Sequence, residues 1–536
     1  LTLEDTSDTY VQIGGEDSDF VDVLYIEVDD GDEPVQVDIN TRLLGSSAGT
    51  AAVYDTSNTD TFQSEVHGEI TDENLPSDDG SVQLYEDDGE LADGSNNFEA
   101  YVDALGIADI GENQITRPPQ STDYEVTAAG SNNVDYVFDA DPGGEANDEL
   151  GSKVIELQQP EIGEVITHTA PEENADEDTE LDELLDAATA REEIAADDRL
   201  IVQVEATGLY GTMVAAPDDD GNLNPDFDRL SDGASSTVLH NIVDNSYDQI
   251  DFSIEAESAT GNQDPLEVDL DSSDGDSYVV IDENGGQFFV VVDTSSDDAF
   301  ANGDAPDSDT DFTASIEYDA DNEDNRFSFE DSDNAPFTPD GNADNYPYLL
   351  QGETLSSSAD LTLSPRSIVY DNLNDNQVVE VAAGEDAEVS GTTNVAPGSD
   401  ATIRVSSTDA SSSFRQGNDV NITEDGSITT TYDLSDQAAG DEFELNYQVA
   451  GSSVGSADGI IVESVDTGAD DGEETNETDT DGEDMDDGEE PADDGETNES
   501  TDDGGESTDD GTPGFGAVVA LIALIGAALL AVRRQN

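Results

Sequence analysis

Apolar residues in this chain come in short runs, and most of the runs alternate with polar residues. Phe443, Leu445, Tyr447 and Val449 alternate most cleanly, and the stretches 20–28 and 200–205 largely follow the same period of two. That period sets every second side chain on one face of a strand, so these runs predict strands with one buried face. Phe288-Phe-Val-Val-Val292 is apolar throughout and predicts a strand buried on both faces. Gly, Asp, Asn and Ser separate the runs at the spacing of a β-sandwich. Val, Ile, Thr, Tyr and Phe fill them, which suits a pleated, half-buried surface.

One segment departs from this period. Between Thr179 and Arg191, the positions Leu181, Leu184, Leu185 and Ala188 follow helical spacing. Thr179 is placed to cap the helix, and Glu180 and Asp182 complement its N-terminal dipole. The pattern predicts one helix packed on a sheet as an insertion.

Breaks in the pattern divide the chain. Arg117-Pro118-Pro119 and Pro365 are read as boundaries. The predicted units are β-sandwich structure over 1–118, surface β-structure over 119–366 with the helical insertion near 179–191, in one module or two, and a β-sandwich over 367–465. From 466 to 511 apolar residues almost vanish, and this stretch cannot bury enough surface to fold. Repulsion between its carboxylates predicts an extended Thr- and Ser-bearing stalk, able to span on the order of 150 Å.

Residues 512–536 form the tail. Gly516 to Val532 carries no charge, and at about 1.5 Å per residue it covers roughly 25 Å, just enough for a bilayer core of roughly 30 Å. Arg533 and Arg534 follow it and favour the cytoplasmic side, which leaves the rest of the chain outside the cell. The helix is short and rich in Gly and Ala, like tails that are cut off and replaced by lipid. Pro513, Gly514 and Phe515, with the apolar run and the two arginines, resemble the PGF-CTERM sorting signals of archaea. That resemblance implies an archaeosortase-like processing enzyme, loss of the helix and attachment of a membrane lipid.

Charge changes the picture of the environment. The chain has 134 acidic and 12 basic residues, for a formal net charge of -122, and Lys153 is its only lysine. At physiological salt the Debye length is about 8 Å and such a surface repels itself; at molar salt it is about 3 Å and the repulsion is screened. The charge runs through every segment, which points to an extremely saline medium rather than to a local acidic tail. Its sign excludes binding to bare nucleic acid. Cysteine is absent, so disulfide-stapled domains and Cys-type zinc sites are excluded. Leu1 opens on a polar strand-like stretch without a signal peptide, so a processed form or a fragment lacking N-terminal parts is expected.

Several stretches resemble the haloarchaeal S-layer, or major cell surface, glycoproteins. Glu388-Val-Ser-Gly-Thr-Thr-Asn-Val-Ala-Pro-Gly398, Ser411-Ser-Ser-Phe414, Glu424-Asp-Gly426 and Tyr432-Asp-Leu-Ser435 are similar to their C-terminal domain. Leu181 to Leu185, Leu200 to Gly211, and Asn40-Thr-Arg-Leu-Leu-Gly45 are similar to their surface-domain region. The resemblance implies tandem immunoglobulin-like β-sandwiches, N-glycosylation, calcium, and self-assembly into a two-dimensional lattice. A minor adhesin or binding protein of the same architecture is the alternative, and an anchored hydrolase is a third.

Candidate chemistry is sparse. Three Asn-x-Ser/Thr sequons begin at Asn421, Asn476 and Asn498, and stalk threonines offer mucin-like O-glycosylation. Asp304, Asp307, Asp309 and Asp311 share one acidic loop. Asp218, Asp219, Asp220, Asn222, Asn224 and Asp226 share another. Alternating Asp and Asn suits the oxygen ligands of calcium, although neither loop has the Gly and Glu of an EF-hand. Gly45–Gly49 and Gly451–Gly455 fit Gly-x-Ser-x-Gly, but neither leads into a helical pattern. The histidines His67, His168 and His240 form no zinc motif, Walker-type phosphate loops are absent, and tryptophan, the usual sugar platform, is missing. A structural role without catalysis is expected.

Overall fold

The computed structural model describes residues 1–465 apart from 320–353 and short stretches at 4–5, 29–32, 46–47, 72, 77–81, 88–96, 108–109, 112–113, 116–118, 120, 133, 142, 177–178, 218–224, 245–249, 258–264, 272–275, 302–304, 307 and 410–412. Strands dominate, and three modules follow one another along the chain.

The first module is built on a five-stranded sheet in the order Glu149–Glu156, Asp123–Ala129, Asp8–Gly15, Phe20–Val28, Thr59–Ser64. The boundary expected at Arg117-Pro118-Pro119 therefore falls inside this module. The chain crosses it and returns, because Asp123–Ala129 pairs with Asp8–Gly15, setting Ile13 opposite Val126. Phe20–Val28 also departs from its one-faced reading, being buried on both sides. Phe20, Leu24 and Ile26 enter one core, and Val21, Val23 and Tyr25 enter a second. A smaller sheet, Glu145–Ala146, Tyr136–Asp139, Gln83–Glu86, and the helix Phe98–Ala104 contribute to that second core. Asn97 caps this helix by accepting from the Ala100 N–H at 3.2 Å.

The second module is a sandwich of two six-stranded sheets. Ile162–Ala170, Arg199–Ala206, Gln287–Asp293 and Ser277–Asp282 run side by side in one; Thr354–Ser364, Thr310–Asp319 and Ile250–Ala256 run side by side in the other. Phe288 and Phe252, one from each sheet, meet edge to face at 6.1 Å. Phe288–Val292 is buried on both faces as its composition predicts.

The predicted helix is present but shorter, Leu181–Ala187, with Thr189–Ala190 already a strand. Thr179 does not cap it. Its hydroxyl donates to Asp176 at 3.2 Å, and Glu180 becomes the N-cap without a side-chain bond. Leu184 is fully buried while Leu185 stays 46% exposed. The module also holds helices that the period did not reveal, among them Tyr210–Ala215 and Ser236–Asp244.

The third module begins at Ile368, just past Pro365, and has two sheets. One is Ile368–Tyr370, Ala387–Thr393, Ser427–Tyr432; the other is Val379–Ala382, Ser452–Val462, Glu442–Val449, Ala401–Asp409, Arg415–Val420. Its first edge is divided between the sheets. Ile368–Tyr370 pairs antiparallel in one, while Val379–Ala382 pairs parallel to the last strand in the other. This is an immunoglobulin-like sandwich. Glu442–Val449 buries Phe443, Leu445, Tyr447 and Val449 and turns the intervening residues outward, as the period of two requires.

Candidate functional site: the joints between modules

Arginine, scarce in the sequence, is concentrated at the places where the chain must hold itself together. Arg191 leaves the second module between Thr189–Ala190 and Glu193–Ala195. Its backbone is pinned to the neighbouring strand, since its N–H donates to Thr167 O and its carbonyl accepts from the Thr167 hydroxyl. Its guanidinium then reaches into the third module. Nη1 donates to Asn394 O and Val395 O, both at 3.1 Å, and Nη2 donates to Glu424 O at 2.9 Å and Thr423 O at 3.4 Å. The turn it grips needs Gly426 at φ +81°, where a Cβ would collide with Thr393 O at 2.4 Å.

A second clamp fixes the linker. Asp198 is fully buried; its carboxylate accepts from Arg366 at 2.6 Å and from the Ala396 N–H at 2.6 Å. Arg366 also donates to Asp197 O at 2.7 Å. Burial pushes the Asp198 pKa up, outweighing the pull of Arg366 and of the Ala396 N–H. Asn394 ties both sides, donating to Glu193 at 3.2 Å and Pro365 O at 3.0 Å and accepting from Ser367 N at 2.8 Å. Beside the clamps lies a cleft of about 660 Å³ lined by Glu173, Asp176, Glu183, Asp186 and Glu424.

The first and second modules meet differently. Leu43, Leu44 and Val53 of the first belong to the same continuous core as Leu209, Met213 and Phe288 of the second. A polar bond also crosses the seam, from Asn40 Nδ2 to Gly211 O at 2.9 Å. Gly211 is required by closeness, because a Cβ there would lie 2.5 Å from Asn40 Oδ1 and 2.9 Å from Arg42 Cβ.

Other arginines serve the interior in the same way. Arg229 donates to the carbonyls of Met213 and Ala216 at 2.9 Å each. Arg199 donates to Ala175 O at 3.1 Å and pairs with Asp293 at 2.5 Å. Sequence reading missed these roles. The signal was present in composition: arginine is retained where lysine is almost eliminated, as expected if a planar fork of donors is needed for carbonyls.

The acidic interior is handled by hydrogen bonds. Asp22 is fully buried and accepts from Tyr54 at 2.6 Å, Ser64 at 2.7 Å and the Val66 N–H at 3.1 Å. Glu65 accepts from Tyr85 at 3.0 Å, and burial raises its pKa to about 7.

The hydrolase motifs resolve unevenly. Contrary to the sequence reading, Gly45–Gly49 does precede a helix, the four-residue Thr50–Val53, and His67 lies beside it. Both imidazole nitrogens are nevertheless occupied by that loop's backbone. Nε2 accepts from the Gly45 N–H at 3.1 Å and Nδ1 bonds to Ala48 O at 2.8 Å. Burial lowers the His67 pKa. Ser46 and Ser47 lie outside the described residues. In the second motif Ser453 sits within the strand Ser452–Val462 and accepts from Asn446 at 2.7 Å. His168 is bonded to Gln203 at 2.7 Å.

Of the acidic loops, Asp311 accepts from Thr362 at 2.8 Å within the sheet, and Asp226 accepts from the Asp228 N–H at 3.1 Å. Asp309 is exposed; Asp304, Asp307, Asp218, Asp219, Asp220, Asn222 and Asn224 lie outside the described residues. Among the described residues no three metal-ligating side chains gather at one point. Asn421 is exposed, on the turn after Arg415–Val420, and the Thr423 and Glu424 carbonyls of that turn are the ones Arg191 grips. Asn476, Asn498, Pro513, Gly514 and Phe515 lie outside the described residues. Among the described residues no helix is long and apolar enough to cross a membrane, and the run from Gly516 to Val532 lies outside them.

A family model described as the PGF-CTERM motif matches residues 512–534. The cell surface glycoprotein of Haloferax gibbonsii is 32% identical over 484 residues, covering 85% of this chain and 48% of that protein. Cell surface glycoprotein 1 of Haloarcula hispanica is 25% identical over 381 residues, covering 68% and 38%. The chain thus spans about half the length, or less, of the curated relatives it matches. Among solved structures, a tetra-tandem repeat in the extending region of a large adhesion protein aligns at 10% identity, covering 86% of this chain and 76% of its own, with a TM-score of 0.14, too low to bear on the fold. Along most of its length the chain is related to the haloarchaeal cell surface glycoproteins, and its residues 512–534 carry the PGF-CTERM motif.

Proposed function

We propose that this chain is a structural surface-layer glycoprotein whose tandem β-modules tile into a two-dimensional lattice over a halophilic archaeal cell. The observation that carries the reading is mechanical. Three β-modules are locked in series by a shared core and by arginine clamps. The chain lies at the outer surface, held to the membrane through its C-terminus, as the PGF-CTERM match and the cell surface glycoprotein relatives support. An archaeosortase-like enzyme would act near Pro513, Gly514 and Phe515, and a membrane lipid would replace the helix beyond.

N-glycans at Asn421, Asn476 and Asn498 are part of the proposal; a glycan on Asn421 would stand at the rim of the second joint. Calcium is the proposed bridge between carboxylates of neighbouring copies, since it gathers several carboxylate oxygens at once and like charges left unpaired at a contact cost energy. Electron microscopy of isolated envelopes tests the reading. An ordered array containing this protein as the dominant band, dispersed by a strong chelator in high salt, is expected. A protein that is sparse on the envelope and forms no array sinks it.

A further inference from the structure

One strand of the first module is unlike any other. Glu149–Glu156 is the outermost strand of the five-stranded sheet, and all eight of its residues are exposed. Leu150 is 50% exposed, Val154 61% and Ile155 42%. Exposed large apolar side chains occur singly in the other modules, at Leu185, Val369 and Leu373, whereas here three stand on one strand and make an uncovered apolar edge. On one face it borders a cleft of about 620 Å³ lined by Leu1, Leu3, Val11, Val126, Leu150 and Lys153.

The backbone of the strand is also open. Leu157 N–H donates to Thr122 O at 3.0 Å, and Ile155, Lys153 and Gly151 follow at every second place against Tyr124, Val126 and Ala128. An antiparallel ladder alternates, so Ser152, Val154 and Glu156 turn their N–H and C=O groups away from the sheet. Open strand edges are templates for pairing with another chain.

Charge names the partner. Lys153 is the single lysine of the chain and stands at the centre of this edge. A lysine on an edge ordinarily discourages copies from pairing, because like charges meet. Here a copy presents 134 acidic residues against 12 basic ones, so almost any other surface of a second copy attracts it. The strand's own acids, Glu149 and Glu156, belong to the opposite face from Lys153 by the register, with a bulge between Glu149 and Gly151. Pairing the strand with itself would therefore leave Lys153 without a carboxylate opposite.

From this geometry we infer that Glu149–Glu156 is a self-association edge, which docks against an acidic strand or face elsewhere on a second copy of this chain. Such a contact is head-to-tail and propagates from copy to copy. The inference rests on the surface-layer reading and specifies one of its contacts.

Because Lys153 is the only side-chain amine, carbodiimide coupling offers a direct test. Light and heavy isotope-labelled full chains are mixed in molar NaCl, coupled, and the linked peptides identified by mass spectrometry. Amide links from Lys153 to a carboxylate of the other copy are expected, and they should vanish in Lys153→Arg, which keeps the charge but not the amine. Lys153→Glu should weaken self-association about tenfold. Val154→Pro should do the same without a change in melting temperature, because the Val154 N–H lies outside the ladder. Copies that assemble with no Lys153 link and are unaffected by Lys153→Glu overturn the edge while leaving the surface-layer role standing. Linked pairs in solution with no ordered array on the envelope keep the edge and overturn that role.

Discussion

The two joints of this molecule hold similar β-modules together by opposite means. Between the first and second modules the apolar core simply continues, with the Asn40–Gly211 bond across the seam. Between the second and third the cores are separate, and the link includes arginine donors on carbonyls, one buried carboxylate and the Asn394 amide. A continuous close-packed core couples its two sides through buried area; a set of aimed hydrogen bonds couples them through direction. The first joint therefore makes two modules into one body, and the second orients a separable module against it. Through its grip on the Thr423 and Glu424 carbonyls, the second joint also sets where the adjoining Asn421 turn points.

The largest test removes Asp198. Asp198→Ala leaves the Ala396 N–H without its acceptor and Arg366 without its buried partner, and should cost about 4 kcal/mol. The loss should appear as a separate, earlier calorimetric transition of the third module and as new protease cleavage near Pro365. A single unchanged transition would mean that the polar joint is not what couples these modules.

The second test probes the fused body through pH. Burial raises the Glu65 pKa from 4.5 to about 7, so its contribution to stability is complete below about 4.5 and is lost as pH rises through 7. Glu65→Gln keeps an acceptor for Tyr85 and should remove that loss, gaining about 3 kcal/mol at pH 9 relative to wild type and nothing at pH 4. Urea melts across this range in high salt measure it. A wild-type stability that stays flat from pH 5 to 9 would show that Glu65 titrates normally.

Third comes the seam itself. Gly211→Leu drives a side chain into Asn40 and Arg42 and should cost about 2 kcal/mol. Because the core is shared, the first two modules should lose stability together while the third keeps its melting point. Selective loss in the second module alone would divide the body that the continuous core implies.

How much of this was visible in the sequence depends on distance along the chain. Glu442–Val449 was legible because one face is solvated and the period of two maps directly onto burial. Phe20–Val28 was not, because layers cover both faces, and Asp22, which reads as a solvent position, is buried against Tyr54 and Ser64, 32 and 42 residues away. The Pro118 boundary misled because composition reports local stiffness and says nothing of a strand that returns to pair with Asp8–Gly15. Thr179 looked like a cap until Asp176 competed for its hydroxyl. Arg191 was unreadable in its role, since its acceptors lie more than 200 residues on and are backbone carbonyls, which leave no trace in side-chain identity.

Arg191 also gives the smallest and sharpest test. Its guanidinium spreads donors over the carbonyls of Asn394, Val395, Thr423 and Glu424, whereas a lysine head is compact and cannot reach two separated pairs at once. Arg191→Lys conserves the charge and removes the fork. If aim rather than charge holds the joint, Arg191→Lys should cost about 1 kcal/mol, nearly as much as Arg191→Ala. It should also broaden the distance distribution between spin labels placed on the second and third modules. If Arg191→Lys restores the wild-type distribution while Arg191→Ala does not, electrostatic attraction holds the modules, and the contrast between an oriented joint and a fused one loses its physical basis.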